Sequence, residues 1–155
     1  MKLRKYILLF ALMSAASWPA VTMEIQNVDT NAGTLDIYMT NSEPVGGFQF
    51  ELFDITITGS SGGLGEEAGF TFANSPTTVV AFSLSGTTIP AGEGVLTTVS
   101  FSDIESSDIC FGLYVGGITD DNSDGIDDNN IISDSNGDVA ESTWGECICF
   151  DLTDE

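Results

Sequence analysis

Residues 119 to 130 read TDDNSDGIDDNN and place oxygen-bearing side chains at alternate positions. Calcium-binding loops need such oxygens at loop positions 1, 3, 5 and 9, a glycine at position 6 for the sharp turn, and a main-chain carbonyl at position 7. Counted from Asp120, this stretch meets each requirement, with Gly125 at position 6. The sequence therefore predicts a calcium site whose ligands are Asp120, Asn122, Asp124, the carbonyl of Ile126, and Asp128.

The predicted loop lacks one ligand, because loop position 12 holds Ile131 where a bidentate Glu is usual. Asp127, Asp134 or water could supply the missing oxygen, and the affinity expected is that of extracellular modules, ~10⁻⁴ to 10⁻³ M. A solvated acidic hairpin tip is the alternative interpretation. The nearby run SDSNGD (133–138) is read as a turn that could share the ion through Asp134, Asn136 and Asp138.

Positive charge is confined to the first residues of the chain. All three basic side chains, Lys2, Arg4 and Lys5, precede an apolar run at 6–13 and small residues at 14–17. This order is typical of a secretory signal peptide, and the apolar run is shorter than the ~20 residues of a spanning helix. We expect a signal peptide over residues 1–16, with cleavage after residue 20 as the second candidate; an uncleaved membrane anchor is the alternative.

The mature chain would then carry 24 Asp and Glu and no Lys, Arg or His. Such a chain has no basic side chains to displace counterions from nucleic acid or to bind anionic lipid, so both partners are excluded. It also lacks the usual bases that activate a nucleophile. Only carboxylate pairs such as Glu66 with Glu67, or Glu51 with Asp54, remain for catalysis, and acidic surfaces supply such pairs routinely. We expect a secreted or extracellular-surface protein that is not an enzyme.

Apolar alternation with a period of two predicts strands almost throughout. The clearest segments are 34–39, 46–52, 78–84 and 95–101, and Gly, Ser, Asn and Pro fill the links between them. The alternation slips by one residue after Leu52, so that Phe53, Ile55 and Ile57 continue it, which is typical of a β-bulge or of a bend between two sheets. Only 64–69 could form a helical turn. Further strands are predicted at 70–72, 109–115 and 147–152, and the fold class is an all-β, antiparallel β-sandwich.

Two segments resemble a known family. VGGFQFELFDI at 45–55 and TTIPAGEGVLTTVSF at 87–101 are similar to the conserved strands of cohesin domains. The resemblance implies a jelly-roll β-sandwich over residues 23–153, with 119–138 as an acidic loop, and a dockerin module as partner in extracellular polysaccharide-degrading assemblies. The residues that carry it are Gly47, Gln49, Phe50 and Leu52 in the first segment, and Gly92, Gly94, Val95, Leu96, Val99 and Phe101 in the second.

The loop at 120–128 has a resemblance of its own. Its pattern D-x-N-x-D-G-x-x-D is similar to the calcium loops of dockerins and of thrombospondin type 3 repeats. No flanking helix accompanies it here, so the resemblance covers the loop alone. It implies calcium as the cofactor.

The three cysteines lie opposite the apolar side chains of their strands. Ile109 and Phe111 share one face, which leaves Cys110 on the other, and Ile148 likewise places Cys147 and Cys149 together. If the two strands are neighbours, Cys110 can pair with Cys147 or with Cys149, and secretion favours the bridge. The third thiol is left over, and a zinc site is the less favoured alternative.

Two kinds of binding remain open from the sequence. One is recognition of a protein partner on a flat face of small and aliphatic residues; the other is recognition of a polysaccharide by exposed aromatic rings. The candidates for exposed rings are Trp144, Tyr114, Tyr38 and Phe53. A structural extracellular protein that is stabilised by bound calcium is the alternative to both.

Calcium is expected to stabilise the fold through the predicted loop. At a Kd of ~1 mM, ~10 mM calcium adds about 1.4 kcal/mol to the free energy of unfolding, because it binds only the folded state. The melting temperature should then rise by roughly 3–6 °C beyond the rise in sodium chloride of equal ionic strength.

The variant Asp120→Asn with Asp124→Asn is expected to lose this calcium-specific rise, because it removes two ligands. A solvated acidic tip would behave differently, since the same change would only relieve repulsion. Equal calcium shifts in the parent and the double variant, measured by calorimetry, would contradict the site.

Overall fold

The computed structural model describes residues 20–112 and 129–149, which form eleven strands and one helix of five residues. The helix follows a glycine turn, Gly62 and Gly63, whose φ angles of 78° and 66° few other residues adopt. In chain order the elements are β1 (Val21–Asp29), β2 (Thr34–Asn41), β3 (Val45–Phe53), β4 (Thr56–Ser61), α1 (Gly63–Glu67), β5 (Thr71–Asn74), β6 (Thr78–Phe82), β7 (Gly92–Ser102), β8 (Asp108–Phe111), β9 (Ile131–Asp134), β10 (Ser142–Trp144) and β11 (Ile148–Cys149).

The strands form two sheets. In the first sheet the order is β10-β1-β2-β7-β4, and in the second it is β11-β8-β3-β6-β5, with β9 paired to β3 beside β8. Within the described ranges every pair is antiparallel except β1 with β10. The predicted all-β sandwich is confirmed.

The core lies between the sheets and follows from the alternation in the sequence. On β3, Phe48, Phe50 and Leu52 are at most 3% exposed, while the residues between them face outward. Aromatic rings form a continuous line through the core, with centroid distances of 5.1 to 6.1 Å: Phe70 and Phe72 against Phe48, then Phe50, Phe111 and Trp144. Ring pairs at these distances stabilise the core beyond what the burial of their apolar area contributes.

The slip predicted after Leu52 is the passage of the chain from the second sheet to the first. β3 ends at Phe53, Asp54 adopts a φ of 68°, and β4 begins at Thr56. The prediction that Phe53 shares the buried face of Ile55 is wrong. The left-handed residue is Asp54, so Phe53 still follows the alternation of β3 and its side chain is 43% exposed on the outer face.

Both ends of the chain segment 113–128 are fixed beside Glu51 on β3. The N–H of Gly112 donates to the carbonyl of Glu51 at 2.9 Å, and the N–H of Glu51 donates to Oδ1 of Asn130 at 2.9 Å. Asn130 is 5% exposed, so its amide is a buried anchor for the start of β9. Gly112 and Asn130 therefore lie beside the central strand of the second sheet.

A disulfide joins β8 to the residue before β11. Cys110 pairs with Cys147, which is the first of the two pairings that the sequence allowed, and Cys149 is free and exposed. The register of the two strands places Ile148 opposite Ile109, so Cys147 stands opposite Cys110 as predicted. None of the residues that the structure places forms a helix long and apolar enough to cross a membrane.

Removing the disulfide is expected to destabilise the protein strongly. The bridge closes a loop with a sequence separation of 37 residues, and chain-entropy arguments give about 4 kcal/mol for a loop of that length. The variant Cys110→Ser with Cys147→Ser should lose about that much free energy of unfolding in urea titrations followed by circular dichroism.

The matched control is Cys149→Ser, which removes the exposed thiol and keeps the bridge. It should unfold at the same urea concentration as the parent. A control as unstable as the double variant would contradict the assigned pairing.

Candidate functional site

The outer face of the first sheet is polar and hydrogen-bonded within itself. Oγ1 of Thr98 donates to Oδ1 of Asp36 at 2.7 Å, and Nδ2 of Asn27 donates to Oδ2 of the same carboxylate at 2.9 Å. Nε2 of Gln26 donates to Glu24 at 3.0 Å. Tyr38, half-buried on β2, is the large ring of this face. The other outward residues are mainly Thr and Ser: Thr22, Thr34, Thr40, Ser100 and Ser102.

The outer face of the second sheet has an apolar centre by contrast, with polar residues such as Gln49 and Glu51 beside it. The outward side chains of β5, β6, β3 and β9 define this surface, here called the β3–β6 face. Phe82 is 43% exposed on β6, and Val80 on the same strand is half-buried. In the register, Phe82 lies opposite Gly47 and Val80 opposite Gln49, and on the far side of β3 those two residues lie opposite Ser133 and Ile131.

Gly47 forms the floor of a depression in the β3–β6 face. The depression has a volume of about 190 Å³, and its walls include Val80 and Phe82 on one side and Ile131 and Ser133 on the other. A side chain at position 47 would point into it, since a Cβ there would lie 3.0 Å from Oγ of Ser133 and 3.6 Å from Cβ of Phe82. The absence of a side chain therefore opens the centre of this apolar surface.

The preceding glycine has a different role. A Cβ at Gly46 would lie 2.4 Å from the carbonyl oxygen of Asp134, which is too close for any Cβ. Gly46 thus lets β3 approach the end of β9, where Asp134 organises a turn. Oδ1 of Asp134 accepts the N–H groups of Asn136 at 2.7 Å and Asp138 at 3.0 Å. The hydrogen bond from the Asn136 N–H holds the pKa of Asp134 below its usual value.

The far end of the same sheet carries the cysteines. Cys110 is paired in the register with Phe53, and Cys149 is paired with Asp108. The hydrogen bond with the Asp108 carboxylate raises the pKa of the Cys149 thiol, and the negative charge of Asp108 acts in the same direction. The thiol is thereby held in its protonated, less nucleophilic form.

Solved structures of similar fold include cohesins. A chain of the crystallised CaDoc0917–CaCohA2 complex superposes with a TM-score of 0.53 at 14% identity, covering 81% of this chain and 94% of that one. The non-cellulosomal cohesin of the hyperthermophilic archaeon Archaeoglobus fulgidus gives a TM-score of 0.52 at 15% identity, covering 80% of this chain and 85% of that one.

A type II cohesin domain from the cellulosome of Acetivibrio cellulolyticus gives a TM-score of 0.50 at 15% identity, covering 86% of this chain and 96% of that one. The fold is cohesin-like. No protein-family model and no curated protein matches the sequence.

Within the cohesin-like fold, the aromatic residues proposed for sugar binding lie apart. Trp144 packs edge-on against Phe111 with 5.1 Å between ring centroids, so its ring belongs to the core. Tyr38 lies on the outer face of the first sheet and Phe53 on that of the second. Tyr114 lies outside the described residues.

The predicted calcium ligands Asp120, Asn122, Asp124, Ile126 and Asp128 all lie outside the described residues. Among the residues that the structure does describe, no three His, Cys, Asp or Glu side chains are grouped to hold a metal ion. The run 133–138 forms the predicted turn. The calcium site remains a prediction from the sequence, placed between Gly112 and Asn130, whose hydrogen bonds with Glu51 fix both ends of the segment.

The carboxylates considered for catalysis are also separated by the fold. Oε2 of Glu66 accepts the N–H of Gly62 and so closes the turn before α1. Glu51 faces outward on β3, whereas Asp54 lies in the crossover to β4.

Sequence reasoning missed the residues of the β3–β6 face. On β6, Val79 and Ala81 are buried, while Val80 and Phe82 face outward. The segment TVVAF is therefore apolar on both sides of the strand. A strand with one face in water normally alternates, so this unbroken apolar run was the available indication of a second contact surface.

The two adjacent glycines provide a test of the floor. Gly46→Ala should lower the free energy of unfolding by about 1–3 kcal/mol, because its Cβ would overlap a backbone carbonyl that cannot rotate away. Gly47→Ala should cost less, about 1 kcal/mol, because its Cβ would lie 3.0 Å from the Ser133 hydroxyl and 3.3 Å from the Ala81 carbonyl oxygen, contacts that small shifts relieve. Urea titration measures both, and equal losses would contradict the assignment of Gly47 as the open floor.

Proposed function

We propose that this chain is a non-catalytic, secreted binding module that docks a protein partner of the dockerin type on its β3–β6 face. The single observation that carries the proposal is the asymmetry between the two outer faces. One face pairs its polar side chains internally, whereas the other exposes Phe82, Val80 and Ile131 around the Gly47 floor. Contiguous exposed apolar surface on a soluble domain commonly marks an interaction site.

The shape of the β3–β6 face favours a protein partner over a polysaccharide. Phe82 lies beside Gly47, and Phe53 lies six residues further along β3, which separates the two rings by about 20 Å. The outward side chains between them are Gln49 and Glu51 on β3 with Val80 and Thr78 on β6, and none of them offers a ring for stacking on a sugar. A protein surface with an apolar centre is the better complement.

The comparison with solved structures supports the same partner class. A chain of similar fold occurs in the CaDoc0917–CaCohA2 complex. We carry this mode of assembly to the present chain as part of the proposal, together with calcium as a stabilising ion and secretion after removal of the leader. The acidic segment between Gly112 and Asn130 would then begin and end beside the docking surface.

Binding to dockerin modules tests the proposal. Purified modules from the same genome are titrated against the mature protein in calcium-containing buffer by calorimetry, with soluble polysaccharides as the competing ligand class. At least one dockerin module should bind, and Phe82→Ala should weaken its Kd at least about tenfold, because aromatic anchors dominate interfaces.

The matched control is Tyr38→Ala, which removes a ring from the centre of the opposite face. Its Kd should stay within about twofold of the parent value. A polysaccharide that binds while no dockerin module does would overturn the proposal, and so would equal losses in the two variants. Binding of neither class would favour a structural role instead.

A further inference from the structure

A second depression lies at the end of the β3–β6 face, where β3 ends and β6 begins. Its volume is about 380 Å³, which is within the ~300–1,000 Å³ of small-ligand sites. The Phe53 ring is 43% exposed there. The polar wall carries two carboxylates, and the lining includes Phe53, Asp54, Thr56, Pro76, Thr77 and Glu105.

The side-chain donors in the lining of this pocket are the hydroxyls of Thr56 and Thr77, and its backbone N–H groups are mostly hydrogen-bonded within the fold. The N–H of Leu52 donates to the carbonyl of Thr77 at 2.9 Å, and the N–H of Glu105 donates to the carbonyl of Asp54 at 2.8 Å. The N–H of Thr77 donates to Oγ of Ser75 at 3.3 Å, and Pro76 has no N–H. Most backbone N–H groups of the wall are therefore already hydrogen-bonded within the protein.

The two carboxylates have no partner of opposite charge. Every basic residue of the chain lies at positions 2 to 5, so neither Asp54 nor Glu105 can form an ion pair within the described part of the chain. Ionised carboxylates only accept hydrogen bonds. A pocket of this kind is complementary to a ligand that only donates.

A sugar is a poorer complement to this pocket than a cation, because each hydroxyl must find an acceptor and also a donor. A guanidinium group has five N–H donors and no acceptor, pairs with carboxylates in a bidentate manner, and stacks on an aromatic face. An ammonium group shares the charge but lacks the planar stacking. The exposed Phe53 ring therefore favours the guanidinium.

We infer that this pocket receives an arginine side chain of the docked protein, seated on the Phe53 ring and bound by Asp54 and Glu105. The inference deepens the proposed function, on which it rests for the position of the pocket at the end of the docking surface. The described residues contain no Lys or Arg, so a second copy of this chain could supply the group only from residues 2–5. The occupant is a partner with Arg at the rim of an apolar contact surface.

The pocket can be tested on the mature protein alone. N-acetyl-arginine amide is titrated into ¹⁵N-labelled protein, and the amide resonances of Asp54, Thr56, Thr77 and Glu105 are followed. We expect saturable shifts with a Kd on the order of 1–10 mM, weakened by salt because the pocket is open to solvent. The uncharged analogue N-acetyl-citrulline amide should give no saturable shift.

The matched variants change one charge each at two left-handed aspartates. Asp54 and Asp103 have φ angles of 68° and 51°, a conformation that Asn tolerates well, so both Asp→Asn changes preserve the backbone. Asp54→Asn should weaken binding of the arginine probe at least about fivefold. Asp103→Asn, outside the pocket, should leave its Kd within about twofold.

Several outcomes would overturn the inference. One is a saturable shift of the same amide resonances with methyl β-glucopyranoside, and another is such a shift with calcium chloride in place of the arginine probe. A third is an equal increase in the Kd of the probe in Asp103→Asn and in the pocket variant. Because no dockerin module takes part in these titrations, failure here is distinguishable from failure of the proposed docking function.

Discussion

The absence of any positive side chain after Lys5 constrains the whole molecule. No ion pair can contribute to the described fold, so stability must come from apolar burial, from backbone pairing and from the disulfide. Uncompensated carboxylates repel one another and are tolerable when they are solvated and spread out. The fold places its acids accordingly on outer faces and in turns, where Asp134 and Glu66 accept backbone N–H groups.

β3 contributes both to the apolar core, on which the stability of the fold depends, and to the outer surface proposed for binding. Its inward side chains, among them Phe48 and Phe50, hold the line of aromatic rings that joins the two sheets. On its outward side lies the open floor at Gly47. The carbonyl and N–H of Glu51 bind Gly112 and Asn130, the residues that flank the acidic segment. One strand therefore carries part of the core, the floor of the proposed docking surface and the contacts of the residues that flank the predicted calcium loop.

The sequence predicted those parts of the fold that depend on local alternation. Strands β2, β3, β6 and β7, the sandwich class and the reach of Cys110 toward the last strand all follow from a period of two, and the helical turn was predicted separately at 64–69. β1, β9 and β10 were missed. β10 has three residues and β9 has four. Segments this short are strands only because they pair with β1 and β3.

The docking surface could not be predicted for a related reason. Alternation tells which residues share a face of a strand, but it does not tell which of two outer faces remains uncovered. Whether Phe53 is exposed depends on where the chain turns between the two sheets. Because the left-handed residue is Asp54 and not Phe53, the Phe53 ring stays on the outer face. The pocket at Asp54 and Glu105 joins residues that are distant in the sequence and carry no motif.

The β3–β6 face is proposed as the surface that a partner covers. Methyl NMR with a soluble paramagnetic gadolinium chelate measures it directly. In the free protein the chelate should broaden the methyl signals of Val80 and Ile131, and a bound dockerin module should restore both while Thr22 and Thr40 on the opposite face stay broadened. Restoration of the threonine methyls, with Val80 and Ile131 still broadened, would contradict the claim.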